Sequence, residues 1–267
     1  MFQDRFILAA CMSRYFLEIA YDGTNYNGWQ TQPNGLGVQQ VLNEKLSIVQ
    51  QEKIETLGSS RTDTGVHASQ TFAHFDCESD LDKLFMRKIN FLLPKDISVK
   101  KIFEMKSNAH ARFDAIERSY EYIFCYEKNP FLTQFSCFYP YKKLNPEVLN
   151  EYANLLLHHT DYAAFCKKRT NVKTTLCYIK RAEWKYDETK NTLTFFITAN
   201  RFLRGMVRGI VATMILGGRG KLSIAGFKNL LNSTEPHKTD FSAPAQGLTL
   251  TQVKYPDGYF PKPILVL

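Results

Sequence analysis

Between positions 14 and 103 the hydrophobic period alternates in an order that few folds can absorb. Residues 14–21 are aromatic and β-branched and are closed by Asp22-Gly23, which predicts a strand. Val38, Val41, Leu42, Leu46 and Val49 then recur at helical spacing. Residues 54–57 and 70–77 read as strands, residues 80–93 as a helix stopped by Pro94, and residues 97–103 as a strand. That order, β-α-β-β-α-β, is a ferredoxin-like unit. Residues 118–126, 146–159, 177–186, 192–199, 203–217 and 248–255 repeat it as strand, helix, hairpin, helix and strand, with a short extra helix over 223–232. The expected fold class is α+β. Two ferredoxin-like halves, 12–105 and 106–267, are expected to join edge to edge in one extended antiparallel sheet. Helices cover one face, and a cleft between the halves is the place for a ligand.

The formal charge is +8, and the excess is uneven: residues 161–221 hold 13 Lys/Arg against 4 Asp/Glu. A concentrated basic surface suits a polyanion partner. No apolar run reaches the roughly 20 residues that span a bilayer, and no basic amphipathic terminal helix points to anionic lipid. Residues 1–11 make a poor signal peptide, because their basic region is weak and Asp4 interrupts the apolar patch. They read as an extension or a mis-assigned start ahead of Met12, and a cytoplasmic location is expected. Cys11, Cys77, Cys125, Cys137, Cys166 and Cys177 form no C-x-x-C pair and keep no zinc-ligand spacing, so buried free thiols are expected. His67 and His74 have no acidic cluster near them in sequence, which argues against a metal and for hydrogen-bonded structural histidines.

Residues 58–68, Gly-Ser-Ser-Arg-Thr-Asp-Thr-Gly-Val-His-Ala, set one arginine, one carboxylate and one histidine among small residues that permit a sharp turn and a close approach. Taken alone, Asp63 reads as a turn former bonded to its own backbone. Asp63-Thr64-Gly65 also matches the active loop of aspartic proteases. That chemistry needs two copies sharing a proton; the chain has one, with Arg61 where apolar residues belong.

Arg204 and Arg208 stand at i and i+4 of the helix expected from position 203, with Arg201 one turn earlier on the same face. Cations in the first turns of a helix oppose its dipole at about 0.3–1 kcal/mol each, which points to an anionic partner, phosphate or carboxylate. Tyr120 and Tyr122 flank Glu121 on a strand and face one side, either packing in the core or offering a ring to a base. Tyr26 and Trp29, in a polar loop beside Gln30 and Gln32, offer the same two roles.

Assembled, these pieces resemble the tRNA pseudouridine synthase A family. The resemblance runs from about position 14 to position 256. It is carried, in the family's order, by Tyr21-Asp-Gly-Thr-Asn-Tyr-Asn-Gly-Trp-Gln30, the 58–68 motif, Ala111-Arg-Phe113, Arg118-Ser-Tyr-Glu-Tyr122, Asn200-Arg-Phe-Leu-Arg-Gly-Met-Val-Arg208 and Ala243-Pro-Ala-Gln-Gly-Leu248. Ser60 stands where the family has glycine and Thr64 where it has alanine, both small; Arg61, Asp63, Gly65 and His67 are kept. The resemblance implies an isomerase that converts uridine to pseudouridine at positions 38, 39 and 40 of the tRNA anticodon stem-loop. It implies a homodimer that needs no cofactor and no metal. It makes Asp63 the carboxylate acting on a flipped-out nucleotide, with Arg208 beside it keeping it ionised. Tyr120 stacks on the target base, Arg61 holds the vacated space open, and His67 belongs with the substrate-binding residues. Arg201 and Arg204 grip phosphates. The other reading is a non-catalytic RNA-binding protein on the same frame. Arg61, Asp63, Tyr120 and Arg208 together separate the two, since a binder has no use for a carboxylate facing phosphates.

Overall fold

A computed structural model describes residues 12–167, 172–236 and 238–267; the readings of residues 1–11 and of Cys11 lie outside them. The first half runs β1 (Ser13–Tyr21), α1 (Val38–Gln50), β2 (Leu57–Gly58), β3 (His67–Cys77), α2 (Phe85–Leu92) and β4 (Ile97–Met105). The second runs β5 (Glu117–Cys125), β6 (Cys137–Phe138), α3 (Pro146–Leu157), β7 (Ile179–Asp187), β8 (Thr192–Ala199), α4 (Met206–Gly218), α5 (Ile224–Leu231) and β9 (Leu248–Lys254), and β10 (Leu265–Val266) follows. This is a mixed α+β fold with five helices and one large sheet among the described residues.

Local chemistry sets the element ends. Asn145 caps α3 by accepting the Glu147 N–H at 2.8 Å, with Pro146 at the first helical position. Ser223 caps α5 in the same way. Helix α2 begins five residues later than its periodicity predicts, because Asp82 takes the Leu84 N–H at 2.6 Å into a turn. Helix α4 begins three residues late, since Gly205 sits at φ +74°, where the right-handed helix cannot continue.

The sheet order is β10-β4-β1-β3-β9-β5-β8-β7, with β2 added to β3 and β6 to β5. One expectation is corrected. The sheet is not wholly antiparallel, because β3 and β9 pair in parallel where the halves meet, and so do β5 and β6. The register explains the seam. Strand β2 has two residues and takes only Ala73 and His74 of β3, which leaves His67 and Ala68 on the same edge for Thr249 and Leu250 of β9.

Tyr26 and Trp29 are 4% and 2% exposed, so both belong to the core and are not presented to a base. The five described cysteines are buried, and Cys77, Cys125, Cys137 and Cys177 are free thiols. After β9 the chain returns to the first half. Tyr255, Tyr259 and Phe260 lie against Phe16, and β10 pairs with β4.

Candidate active site

The 58–68 loop hangs between β2 and β3 and ends at the seam. Its course depends on close backbone packing. A Cβ on Gly28 would come within 2.4 Å of the Thr62 carbonyl oxygen, and one on Gly23 within 2.1 Å of that of Val66. The Gly65 N–H donates to the Tyr26 carbonyl at 3.2 Å, and the Trp29 N–H to the Thr62 carbonyl at 3.3 Å. Tyr21 and Thr62 join their hydroxyls at 2.8 Å. Buried Trp29 and Tyr26 are thus the floor on which the loop rests.

On that floor the Asp63 carboxylate is 19% exposed. Among the described residues no donor hydrogen-bonds it, and its nearest cation is Arg204, whose Nε lies 3.9 Å from Oδ1. The turn is held instead by main chain, with the Val66 N–H donating to the Asp63 carbonyl at 3.1 Å. Asp63 is therefore not the self-bonded turn former that its local sequence suggests. A carboxylate left without hydrogen bonds in a rigid turn is available to a ligand.

Tyr120 on β5 lies two strands away across the seam, 8% exposed, with its ring 5.2 Å from Phe202 at an edge-to-face angle. Burial pushes its phenol up, and the Asp63 charge adds to that against the opposing pull of Arg118. Tyr122, on the same strand face, is core and donates to the Pro244 carbonyl at 2.8 Å.

The arginine expected beside Asp63 was Arg208; the structure puts Arg204 there. Because α4 starts at Met206, Arg204 leaves the helix and reaches the 58–68 loop. Arg208 stays in the first turn, where its Nε donates to the Ala243 carbonyl at 2.6 Å and its Nη2 to that of Phe241 at 3.2 Å. These two carbonyls receive the charge that opposes the helix dipole. The three arginines therefore do not share one helix face. His67 is also placed differently from the expectation of substrate contact. It is 1% exposed, its Nδ1 accepts the Gly23 N–H at 3.0 Å, and its Nε2 lies 3.2 Å from the Gln246 carbonyl, so the ring clasps the two halves at the seam. Arg61 is exposed and Arg201 half-buried, and neither guanidinium meets an acceptor among the described residues.

Of the basic span, Lys180, Arg181, Lys185 and Lys190 on and after β7 are paired with Glu117, Glu183 and Asp187. Outside that span the sequence reading gave no role to two further arginines. Arg118 is 9% exposed and donates to four carbonyls. Its signal was present: it shares the inward face of β5 with Tyr120 and Tyr122, an unusual register for a cation. Arg112 is exposed beside Phe113, which is itself 76% exposed. A cavity of about 320 Å³ is lined by Asp22, His67, Phe135 and neighbours but by neither Asp63 nor Tyr120. Asp63 and Tyr120 lie outside that cavity, with Arg204 beside the carboxylate and Arg118 near the phenol.

A family model described as tRNA pseudouridine synthase matches residues 153–256. The chain is 46% identical over 251 residues to tRNA pseudouridine synthase A of Bacteroides thetaiotaomicron, covering 93% of each protein. It is 44% identical over 250 residues to that of Azobacteroides pseudotrichonymphae, covering 93% of this chain and 99% of the relative. Over 251 residues it is 36% identical to that of Picosynechococcus, covering 93% of this chain and 91% of the relative. With likeness of this degree over 93% of its length, the chain belongs to the tRNA pseudouridine synthase A family.

Proposed function

We propose that the chain converts uridine to pseudouridine at positions 38, 39 and 40 of the tRNA anticodon stem-loop, with Asp63 acting on a nucleotide flipped into the cleft. As a member of its family the chain is an isomerase acting on uridine in tRNA. The observation that carries the assignment to Asp63 is its carboxylate, fixed in position by main-chain contacts, without a hydrogen bond, and facing Arg204 at 3.9 Å. The reaction breaks N1–C1′, turns the uracil and joins C5 to C1′; the C5 proton leaves and N1 gains one. Nothing is oxidised and no water enters. One carboxylate serves it, as a nucleophile or as the acceptor of a ribose proton. Tyr120 offers a buried ring beside that carboxylate for stacking and a phenol toward C5. Arg61 fills the stack from which the base has left. Arg204 holds the carboxylate side of the cleft, a task the resemblance gave to Arg208, while Arg208 fixes the 241–243 segment and Arg201 meets phosphate.

The same proposal includes two ferredoxin-like halves, 12–105 and 106–267. It is supported by the orders β4-β1-β3-β2 and β9-β5-β8-β7, which are alike. It includes a homodimer in the cytoplasm; no helix among the described residues is long and apolar enough to cross a membrane.

The test uses unmodified tRNA transcript carrying tritium at uridine C5. Wild-type protein is expected to release tritium. Asp63→Asn is expected to lose at least about 10³-fold in rate while still binding the transcript. Binding without release by the wild type would favour the RNA-binding reading instead.

A further inference from the structure

Three arginines at the cleft come from distant parts of the chain, and one buried arginine ties their backbones together. Arg118 Nη2 donates to the Ser59 carbonyl at 3.2 Å, two residues before Arg61, and to the carbonyl of Arg112 itself at 2.8 Å. Its Nη1 donates to the Asn200 carbonyl at 2.9 Å, one residue before Arg201, and to that of Ala115 at 2.7 Å. The planar guanidinium has its donors in a fixed fork, so these four bonds fix the segments relative to one another; an ammonium on a flexible stem cannot do the same.

The arginines so placed are not consumed by the protein. Among the described residues no acceptor and no carboxylate meets the guanidinium groups of Arg61, Arg112 or Arg201, and Arg112 has only the Phe113 ring at 5.9 Å. They are close enough to feel one another, since partial burial and the charges of Arg61 and Arg201 depress the Arg112 guanidinium. Arg118 has no carboxylate either; its partners are all carbonyls. Four like charges held together without an internal counter-charge repel, and an external anion relieves that repulsion. Guanidinium forks match phosphate oxygens, and an exposed Phe113 beside them favours a strand that also carries bases.

We propose that Arg118 is a positioning residue that holds Arg61, Arg112 and Arg201 as one cluster, with Arg112 and Arg201 spaced for successive backbone phosphates of the RNA strand and Arg61 set at the stack that the flipped base leaves. The proposal rests on the tRNA reading above and adds Arg112 to the phosphate contacts and Arg118 to their support.

The experiment measures affinity of the full chain for unmodified tRNA transcript between 50 and 200 mM salt, in an Asp63→Asn background so that turnover does not enter. Arg112→Gln is expected to lower the slope of log affinity against log salt by about 0.7–0.9, the value of one phosphate contact. Arg118→Lys keeps the net charge, yet is expected to lower the slope by about two contacts, because the three arginines lose their common spacing. A folded Arg118→Lys protein with the wild-type slope overturns the positioning role, since a merely structural residue moves stability and leaves the slope alone. Should Arg118→Lys not fold, the double variant Arg112→Gln, Arg201→Gln decides: a slope lower by about 1.4–1.8 supports the cluster, and an unchanged slope overturns it. Tritium release by the protein with Asp63 intact is scored separately, so the cluster can fail while the reaction stands, and the reverse.

Discussion

Arg14 and Arg118 are the second residues of β1 and β5, so the two halves place an arginine at the same point of the same strand order. Their surroundings differ. Arg14 meets Asp76 on the neighbouring strand through two 2.6 Å bonds and donates a third to the Ala109 carbonyl at 2.7 Å. Its charge is cancelled in place, at a site where both partners are partly wet. Arg118 is more deeply buried and has four carbonyls and no carboxylate. A cancelled cation is a clasp. An uncancelled one also lends its charge to whatever lies nearby, and what lies nearby is Tyr120, Arg112 and Arg201. Of the two equivalent arginines, the one left without a counter-ion is the one beside the candidate site.

Urea unfolding tests that difference most directly. Arg118→Met strips the donor from four carbonyls, two of the bonds being fully buried, and is expected to cost about 3 kcal/mol or more. Arg14→Met breaks a partly exposed pair and is expected to cost about 1–2 kcal/mol, shrinking in high salt. Equal losses, or a larger loss at Arg14, would mean that the two arginines do the same work.

A buried histidine of the first half is expected to set much of the response to acid. His74 on β3 is buried, accepts the Ala111 N–H at 3.1 Å and stacks on Phe16. Burial first, then the charges of Arg14 and His110, push its imidazole down from 6.5 to about 4. Between those values the unfolded chain binds the proton and the folded chain does not, so stability falls as pH drops from 6.5 toward 4. Below that window the Asp76 carboxyl, held down by its hydrogen bond to Arg14, loses its contribution as it too is protonated. The melting temperature of the wild type is expected to fall between pH 6.5 and 5. His74→Asn, which keeps an acceptor for Ala111, is expected to flatten that part of the curve. A parallel fall in the variant would assign the acid response elsewhere.

Much of this was legible before any coordinates. Periodicity located β8 to the residue and the other long elements to within a few, because each buries one continuous face. It failed where a single residue outside the pattern decides: Asp82 delaying α2, Gly205 delaying α4. The second failure moved the site, since a helix begun at 203 puts Arg204 and Arg208 together, while one begun at Met206 sends Arg204 to Asp63. The parallel seam was hidden for another reason. It depends on β2 being two residues long, and Ile54 to Leu57 looks like a full strand until Trp29 is seen lying against Gly58, where a Cβ would come within 2.4 Å of its Nε1. Arg118 shares the strand face of Tyr120 and Tyr122, a register the sequence reading did not use, and only the structure shows that its partners are carbonyls from both halves.

The smallest expected effect concerns two adjacent serines of the 58–68 loop, one on each side of this division between used and unused polar groups. Ser59 Oγ meets Thr71 Oγ1 at 3.1 Å and accepts the Phe72 N–H at 3.2 Å, and the Ser59 carbonyl is the one that Arg118 holds. Ser60 Oγ is buried with no partner among the described residues. The Ser60 backbone has no positive φ, so the side chain costs no strain there; its cost is the unsatisfied hydroxyl. Ser59→Ala is expected to destabilise by about 1 kcal/mol, and Ser60→Ala to stabilise by up to about 1 kcal/mol, both read from urea midpoints at constant slope. If Ser60→Ala instead loses stability, the Ser60 hydroxyl must have a bonding partner in solution, and Ser60 then stands with Ser59 as part of the loop's support.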